Sequence, residues 1–370
     1  MRRRPEEILA LARADLVAMP GYEPVEPVDV AACRLGIPED QIVKLDGNEN
    51  PYGPSPRVAE DLARFPYYHI YPDPEQRRAR EVIAQYVGVY PEMVVAGSGS
   101  DELLDLVARL FLSPGDVVLN APPTFGMYPF LTQLYSARLV ETPRREDFSL
   151  DLPAIEAALN GGAKLLFLAS PNNPTGNTLS RDELERLLSY RKVVVVDEAY
   201  IEFAGESFVD MVEEHDNLIV ARTFSKWAGL AGLRAGYSVF PRPLADIVRK
   251  IKMPYNLNAA AEAAILASLE DVATLRQRAA AIVSERERLQ QHLAELSWLR
   301  PYPSQANFLL CKVRGLAARE VRDRLRDRGV LVRHFDAPGV RDCLRISVGK
   351  PEHTDRLLTA LAEIGADVGK

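Results

Sequence analysis

Five short apolar runs dominate the middle of the chain, at residues 117–121, 165–170, 193–197, 218–222 and 237–240. None alternates with polar residues, so each reads as a strand buried on both faces. Val193, Val194, Val195 and Val196 in succession are the plainest case. Helix start signals lie between the runs. Ser180 followed by Glu183 forms a capping box that opens a helix over 181–190. Asp151 caps a second helix over 152–159, closed by Gly161 and Gly162. Strand–helix alternation of this kind predicts an α/β fold with a mostly parallel sheet between helices.

The pattern changes near residue 270. Val272, Leu275, Ala279, Ile282, Leu289, Leu293 and Leu296 mark a long amphipathic helix to Trp298, and Pro301 and Pro303 stop it. A strand at 307–313, a helix at 317–328, strands at 330–335 and 343–348 and a helix from Glu352 follow. They make a smaller α+β unit. The expected division is an arm at 1–45 that packs with the small domain, a large domain at 46–270, and the small domain at 271–370. The arm has no strand pattern of its own. No internal repeat or low-complexity segment interrupts this order.

Charge and cysteine content narrow the functional classes. A net charge of −7 argues against a chain that coats nucleic acid or an anionic membrane. Cys33, Cys311 and Cys343 are odd in number and far apart, so neither a disulfide scaffold nor a metal site is expected. Met1-Arg2-Arg3-Arg4 could open a signal peptide, yet Arg13 and Asp15 break the apolar stretch behind it. No uncharged apolar run reaches the ~18 residues of a membrane span. A cytoplasmic protein is expected.

Open α/β sheets bind ligands at the carboxyl ends of their strands. Four loops there hold unusual sets: Gly97-Ser98-Gly99-Ser100-Asp101; Ser170-Pro171-Asn172-Asn173-Pro174-Thr175-Gly176; Asp197-Glu198-Ala199-Tyr200; and Thr223-Phe224-Ser225-Lys226 with Arg234 beyond it. Alone, each has an ordinary reading as a turn, a helix cap, a surface lysine or an ion pair. The first fits neither a dinucleotide nor a P-loop pattern. Together they match the needs of pyridoxal phosphate. Lys226 can condense with its aldehyde, and Asp197 can meet its pyridine nitrogen. Tyr200 and Asn173 can donate to its phenolic oxygen, while Gly99, Ser100, Ser225 and Arg234 cup its phosphate.

These motifs, with Gly-Leu-Arg-Ala-Gly-Tyr at 232–237, resemble those of the fold-type I aminotransferases, and the likeness covers nearly the whole chain. Asp46-Gly47-Asn48-Glu49-Asn50-Pro51, Tyr71-Pro72-Asp73-Pro74, the run from Pro122 to Tyr128 and the run from Cys343 to Gly349 are similar to the branch acting on histidinol phosphate. The resemblance implies a large domain with a mostly parallel sheet and a smaller α+β domain. It implies pyridoxal 5′-phosphate held covalently by Lys226, with Asp197 and Tyr200 as the other catalytic groups. Gly99, Ser100, Asp101, Phe125, Asn173, Thr223, Ser225, Arg234 and Tyr71 would bind the cofactor, and Phe125 would stack on its ring. Tyr71 would reach the phosphate from a partner subunit, which implies a homodimer. Tyr22, Asn173, Arg333 and Arg345 would bind substrate.

The implied reaction passes an amino group between L-histidinol phosphate and 2-oxoglutarate, giving imidazole-acetol phosphate and L-glutamate. An aromatic amino-acid aminotransferase is the alternative, and after it a pyridoxal-phosphate decarboxylase of a phosphorylated amino acid. Three residues depart from the branch. Phe125 stands where tyrosine is common, Ile70 where arginine is frequent, and Trp227 where a small residue is usual and so would reshape the pocket wall.

Overall fold

A computed structural model describes residues 8–366; the basic opening at 1–4 and the last four residues lie outside them. Two sheets organise the chain. Strands β2 (Val94–Ser98), β3 (Val117–Asn120), β4 (Arg138–Glu141), β5 (Leu165–Ala169), β6 (Val193–Asp197), β7 (Leu218–Thr223) and β8 (Ala235–Val239) form a seven-stranded sheet in the order β2-β8-β7-β6-β5-β3-β4. Its neighbours are parallel except at β8, which is antiparallel to both β2 and β7. Because β8 reverses twice, β2 runs with the parallel set, and the carboxyl ends of β2, β3, β5, β6 and β7 share one edge of the sheet. Every residue of β5, β7 and β8 is buried, as runs without alternation require.

Helices cover both faces. The capping box of Ser180 and Glu183 forms at the start of the helix Arg181–Leu188, and Asp151 accepts from Ala154 N–H at the start of Leu152–Asn160. β4 escapes the sequence pattern because it is an edge strand with no fully buried residue.

The second sheet has the order β1-β11-β12-β10-β9, from β1 (Val43–Leu45), β9 (Leu299–Pro301), β10 (Phe308–Val313), β11 (Val330–His334) and β12 (Cys343–Ser347). β1 belongs to the stretch expected to carry no strand. It pairs parallel to β11, and three residues are too few to show a period. The long amphipathic helix, Val272–Glu295, ends before the two prolines rather than at them. The chain is already extended at Leu296, and Pro301 instead ends β9, an edge strand where a missing N–H costs least. Among the described residues no helix is long and apolar enough to cross a membrane, and no cluster of side chains could hold a metal.

Candidate active site

The strand edge opens into a cleft of ≈ 280 Å³ between the two sheets, and most residues expected from sequence line it. Asp197 ends β6 with its side chain buried. Its Oδ1 accepts from Ala199 N–H at 3.1 Å and its Oδ2 from the Tyr128 hydroxyl at 3.0 Å. Burial pushes its pKa up to about 6, and those two hydrogen bonds oppose the rise. Tyr128 is a residue that sequence reasoning does not single out. It closes the Pro122–Tyr128 run, and its place three residues beyond Phe125 is a further signal for it.

Lys226 lies in the bend after β7 and donates to the carbonyl of Gly47 at 2.9 Å. Burial, then the nearby Arg345 cation, brings its pKa down to about 8. A group so placed gives up and recovers a proton near neutral pH. Tyr200 lies beneath it, with Lys226 Nζ 5.9 Å from the ring centroid. Its hydroxyl accepts from Asn48 Nδ2 at 3.1 Å, and burial holds its pKa up at about 12, so the phenol keeps its proton.

Gly99 and Ser100 open the helix Gly99–Phe111, whose first N–H groups point out of the end of β2. Arg234 closes that end, in a left-handed backbone at φ 54°, and pairs with Asp101 at 2.8 Å. Thr223 Oγ1 accepts from Ser225 N–H at 3.0 Å and so sets the Ser225 turn. Glycine is required in this cup. A Cβ at Gly236 would sit 2.6 Å from Ser100 N, and one at Gly99 2.5 Å from Arg234 Nη2. Backbone donors, the Ser100 and Ser225 hydroxyls and the Arg234 guanidinium, in a cradle that glycines keep open, suit a phosphate monoester. A lysine of lowered pKa, a buried carboxylate and two donors stand in the same cleft. The residues present therefore fit pyridoxal phosphate.

On the side of the five-stranded sheet, Arg345 projects from β12. It donates to Asn173 Oδ1 at 2.7 Å and to the carbonyl of Asp46, and flanks the Phe308 and Phe335 rings at 5.5 and 5.4 Å. Its buried Nε has no hydrogen-bond partner. Tyr22 reaches the cleft from the arm and meets Phe125 edge-on at 6.5 Å.

Arg333, Tyr71 and Trp227 lie outside the lining of the chain's own cleft. Arg333 donates to the carbonyls of Glu23 at 2.9 Å and Pro24 at 3.3 Å, and thereby holds the arm that carries Tyr22. Tyr71 is 77% exposed and stacks on Tyr255 at 4.4 Å, away from the chain's own cleft. Trp227 leaves the pocket wall alone: it is fully buried and stacks on Tyr86 at 5.3 Å.

The sequence pattern of the family described as aminotransferase class I and II matches residues 40–361. The chain belongs to that family. This aminotransferase is 51% identical over 369 residues to a histidinol-phosphate aminotransferase of Roseiflexus castenholzii, covering 97% of this chain and 100% of that one. It is 45% identical over 355 residues to a chloroplastic histidinol-phosphate aminotransferase of Nicotiana plumbaginifolia, covering 95% and 86%. The crystal structure of histidinol-phosphate aminotransferase from Sinorhizobium meliloti in complex with pyridoxal-5′-phosphate superposes with a TM-score of 0.87 at 27% identity, over 97% and 98% of the two chains. The α/β fold, the family and the pyridoxal 5′-phosphate cofactor expected from sequence all stand.

Proposed function

We propose that this aminotransferase interconverts L-histidinol phosphate plus 2-oxoglutarate with imidazole-acetol phosphate plus L-glutamate. The observation that carries the proposal is Arg345. It is a buried cation in the same cleft as Lys226, it forms no ion pair among the described residues, and it has a donor to spare. Such a charge calls for an anion, and each proposed substrate brings one to the site, as a phosphate or a carboxylate. The near full-length relatives that bear the histidinol-phosphate name support the same choice.

When bound, the cofactor supplies an aldehyde for the lysine and a ring that takes up the electron pair released at the substrate Cα. The chain's own groups do the rest. Asp197, ionised at neutral pH with the help of Tyr128, holds the proton on the ring nitrogen. Tyr200 donates to the ring oxygen. Asn173 does so too, because Arg345 occupies its Oδ1 and leaves its amide N–H₂ as donor. Gly99, Ser100, Ser225 and Arg234 hold the phosphate, and Thr223 fixes the Ser225 turn. Asp101 meets Arg234 at the same cup. Phe125 stacks on the ring, braced edge-on by Tyr128 at 5.7 Å. Lys226 moves the proton between the substrate Cα and the cofactor, for which a pKa of about 8 is well placed. Tyr22 and Arg345 contact substrate, and Arg333 serves them by holding the arm.

A homodimer completes the site. Tyr71 is exposed beside Tyr67, Tyr68, Ile70, Met253 and Tyr255, an apolar patch that fits a second copy of the chain, whose cleft Tyr71 would enter. A cytoplasmic location suits the three unpaired cysteines.

The test adds L-histidinol phosphate, without keto acid, to the purified protein. Stoichiometric loss of the visible cofactor band supports the assignment. A band that ignores this compound but is lost with phenylalanine or tyrosine overturns it in favour of an aromatic amino-acid substrate. Mixing Tyr71→Ala with Lys226→Ala chains should recover activity that neither has alone; no recovery would sink the shared site.

A further inference from the structure

Residues 46–50 follow β1, and they hydrogen-bond three of the groups given a chemical role above, Lys226, Arg345 and Tyr200. The carbonyl of Gly47 accepts from Lys226, and that of Asp46 accepts from Arg345. Asn50 Nδ2 donates at 2.7 Å to the carbonyl of Trp227, the residue after the lysine. Asn48 Nδ2 donates to the Tyr200 hydroxyl at 3.1 Å.

Asn48 is tied on its other sides to the small sheet. Its N–H donates to Ser347 Oγ at 2.9 Å, and that hydroxyl donates back to Asn48 Oδ1 at 2.8 Å. Asn307 Nδ2 donates to its carbonyl at 2.9 Å. The residue is 1% exposed and has a left-handed backbone at φ 52°, which asparagine bears better than most.

We infer that Asn48 is a positioning residue that keeps the Tyr200 proton directed into the cleft and ties it to the strand carrying Arg345. The inference rests on Tyr200 being the donor to the cofactor's ring oxygen. A phenol has one proton and two lone pairs. Ser347 claims Asn48 Oδ1, so the amide can present only N–H to Tyr200. It fills a lone pair and cannot take the proton, which remains for the cleft. Ser347 lies two residues beyond Arg345 on β12, on the same face of the strand. An anion drawing on Arg345 therefore acts on the strand that sets Asn48, and through it on Tyr200. The other charges at Tyr200 are Arg345, which favours its ionised form, and Asp197 and Tyr22, which oppose it.

The test reads the pH midpoint of the visible absorbance of the cofactor-loaded protein without substrate, which reports the proton on the lysine nitrogen. A donor to the ring oxygen draws off electron density and lowers that midpoint. Tyr200→Phe should raise it. Asn48→Gly, chosen because glycine tolerates the left-handed backbone, should raise it by about half a pH unit, the usual worth of one neutral hydrogen bond. The double variant should match Tyr200→Phe alone.

No shift in Tyr200→Phe overturns the reading of Tyr200 and the inference with it. A shift there, with none in Asn48→Gly or with additive shifts in the double variant, overturns the inference alone. If Asn48→Gly does not fold, Ser347→Ala frees Asn48 Oδ1 and should raise the midpoint in the same direction. An unchanged midpoint in that variant overturns the inference as well.

Discussion

The Tyr128 hydroxyl donates to Asp197 Oδ2 at 3.0 Å, from a ring that is itself fully buried and stacked on Phe167 at 5.0 Å. Burial has raised the Asp197 carboxyl to about 6, close enough to neutrality that one hydrogen bond matters. Tyr128 favours the ionised form, so Tyr128→Phe should raise the pKa further. The carboxylate would then be partly protonated near pH 7 and meet the ring nitrogen less well. Titration of the apo-protein with pyridoxal phosphate should show a dissociation constant raised roughly tenfold at pH 7. The excess should shrink as pH rises. An unchanged constant across pH 6–8 would sink the role.

Lys226 gives a stability prediction of opposite sense to its catalytic value. Its folded pKa, about 8, is below the ordinary 10.5, so folding disfavours its charged form. The cost is fully present below pH 8 and is relieved as pH rises from 8 towards 10.5. Lys226→Met replaces the ammonium with an uncharged chain of similar length, though the bond to Gly47 is lost. The apo-variant should therefore be more stable than the apo-protein at pH 7, by about 1–2 kcal/mol. The gain should fade by pH 10. Denaturant unfolding at the two pH values checks both, and a variant less stable at pH 7 would refute the account.

How legible the site was depended on whether a residue's neighbours lie close in sequence. The four valines of β6 announce a buried strand, and Asp197 at its end announces a carboxylate in an apolar setting. The same local logic misses β4, whose edge position leaves no apolar run, and β1 and β9, each three residues long. Lys226 is recognisable from its motif, yet what it touches comes from 179 residues away, at a backbone carbonyl that no side-chain pattern encodes. Asn48 stood inside a motif without a role, since its partners Tyr200, Ser347 and Asn307 come from three separate elements. Trp227 misleads for the converse reason: adjacent to the lysine in sequence, it turns into the core instead.

Two glycines separate cofactor binding from stability. Gly236 on β8 faces the Gly99–Ser100 backbone, and a Cβ there would come within 2.6 Å of Ser100 N. Backbone cannot rotate away as a side chain can, so Gly236→Ala should push the helix start out of the phosphate cup. A rise of about 10–100-fold in the dissociation constant of pyridoxal phosphate follows from the usual cost of overpacking. Gly205 has a positive φ of 98° and no atom within 4 Å of the Cβ position. Gly205→Ala should lower the melting temperature while leaving cofactor affinity unchanged. Equal affinities in the two variants would mean that the cup is not built as described.

Arg345 is placed to act twice, and two substitutions separate the actions. Its charge helps to hold Lys226 near 8, and its planar fork suits an anion. Arg345→Gln removes both. Lys226 should lose acidity, moving the lower limb of the kcat–pH profile upward, and kcat/KM for L-histidinol phosphate should fall about 100-fold. Arg345→Lys keeps a charge but loses the fork that bridges Asn173 Oδ1 and the carbonyl of Asp46. The pH limb should stay in place while KM rises about tenfold, because one point charge replaces paired donors. If Arg345→Lys moves the limb as far as Arg345→Gln does, the positive charge is not what sets the lysine.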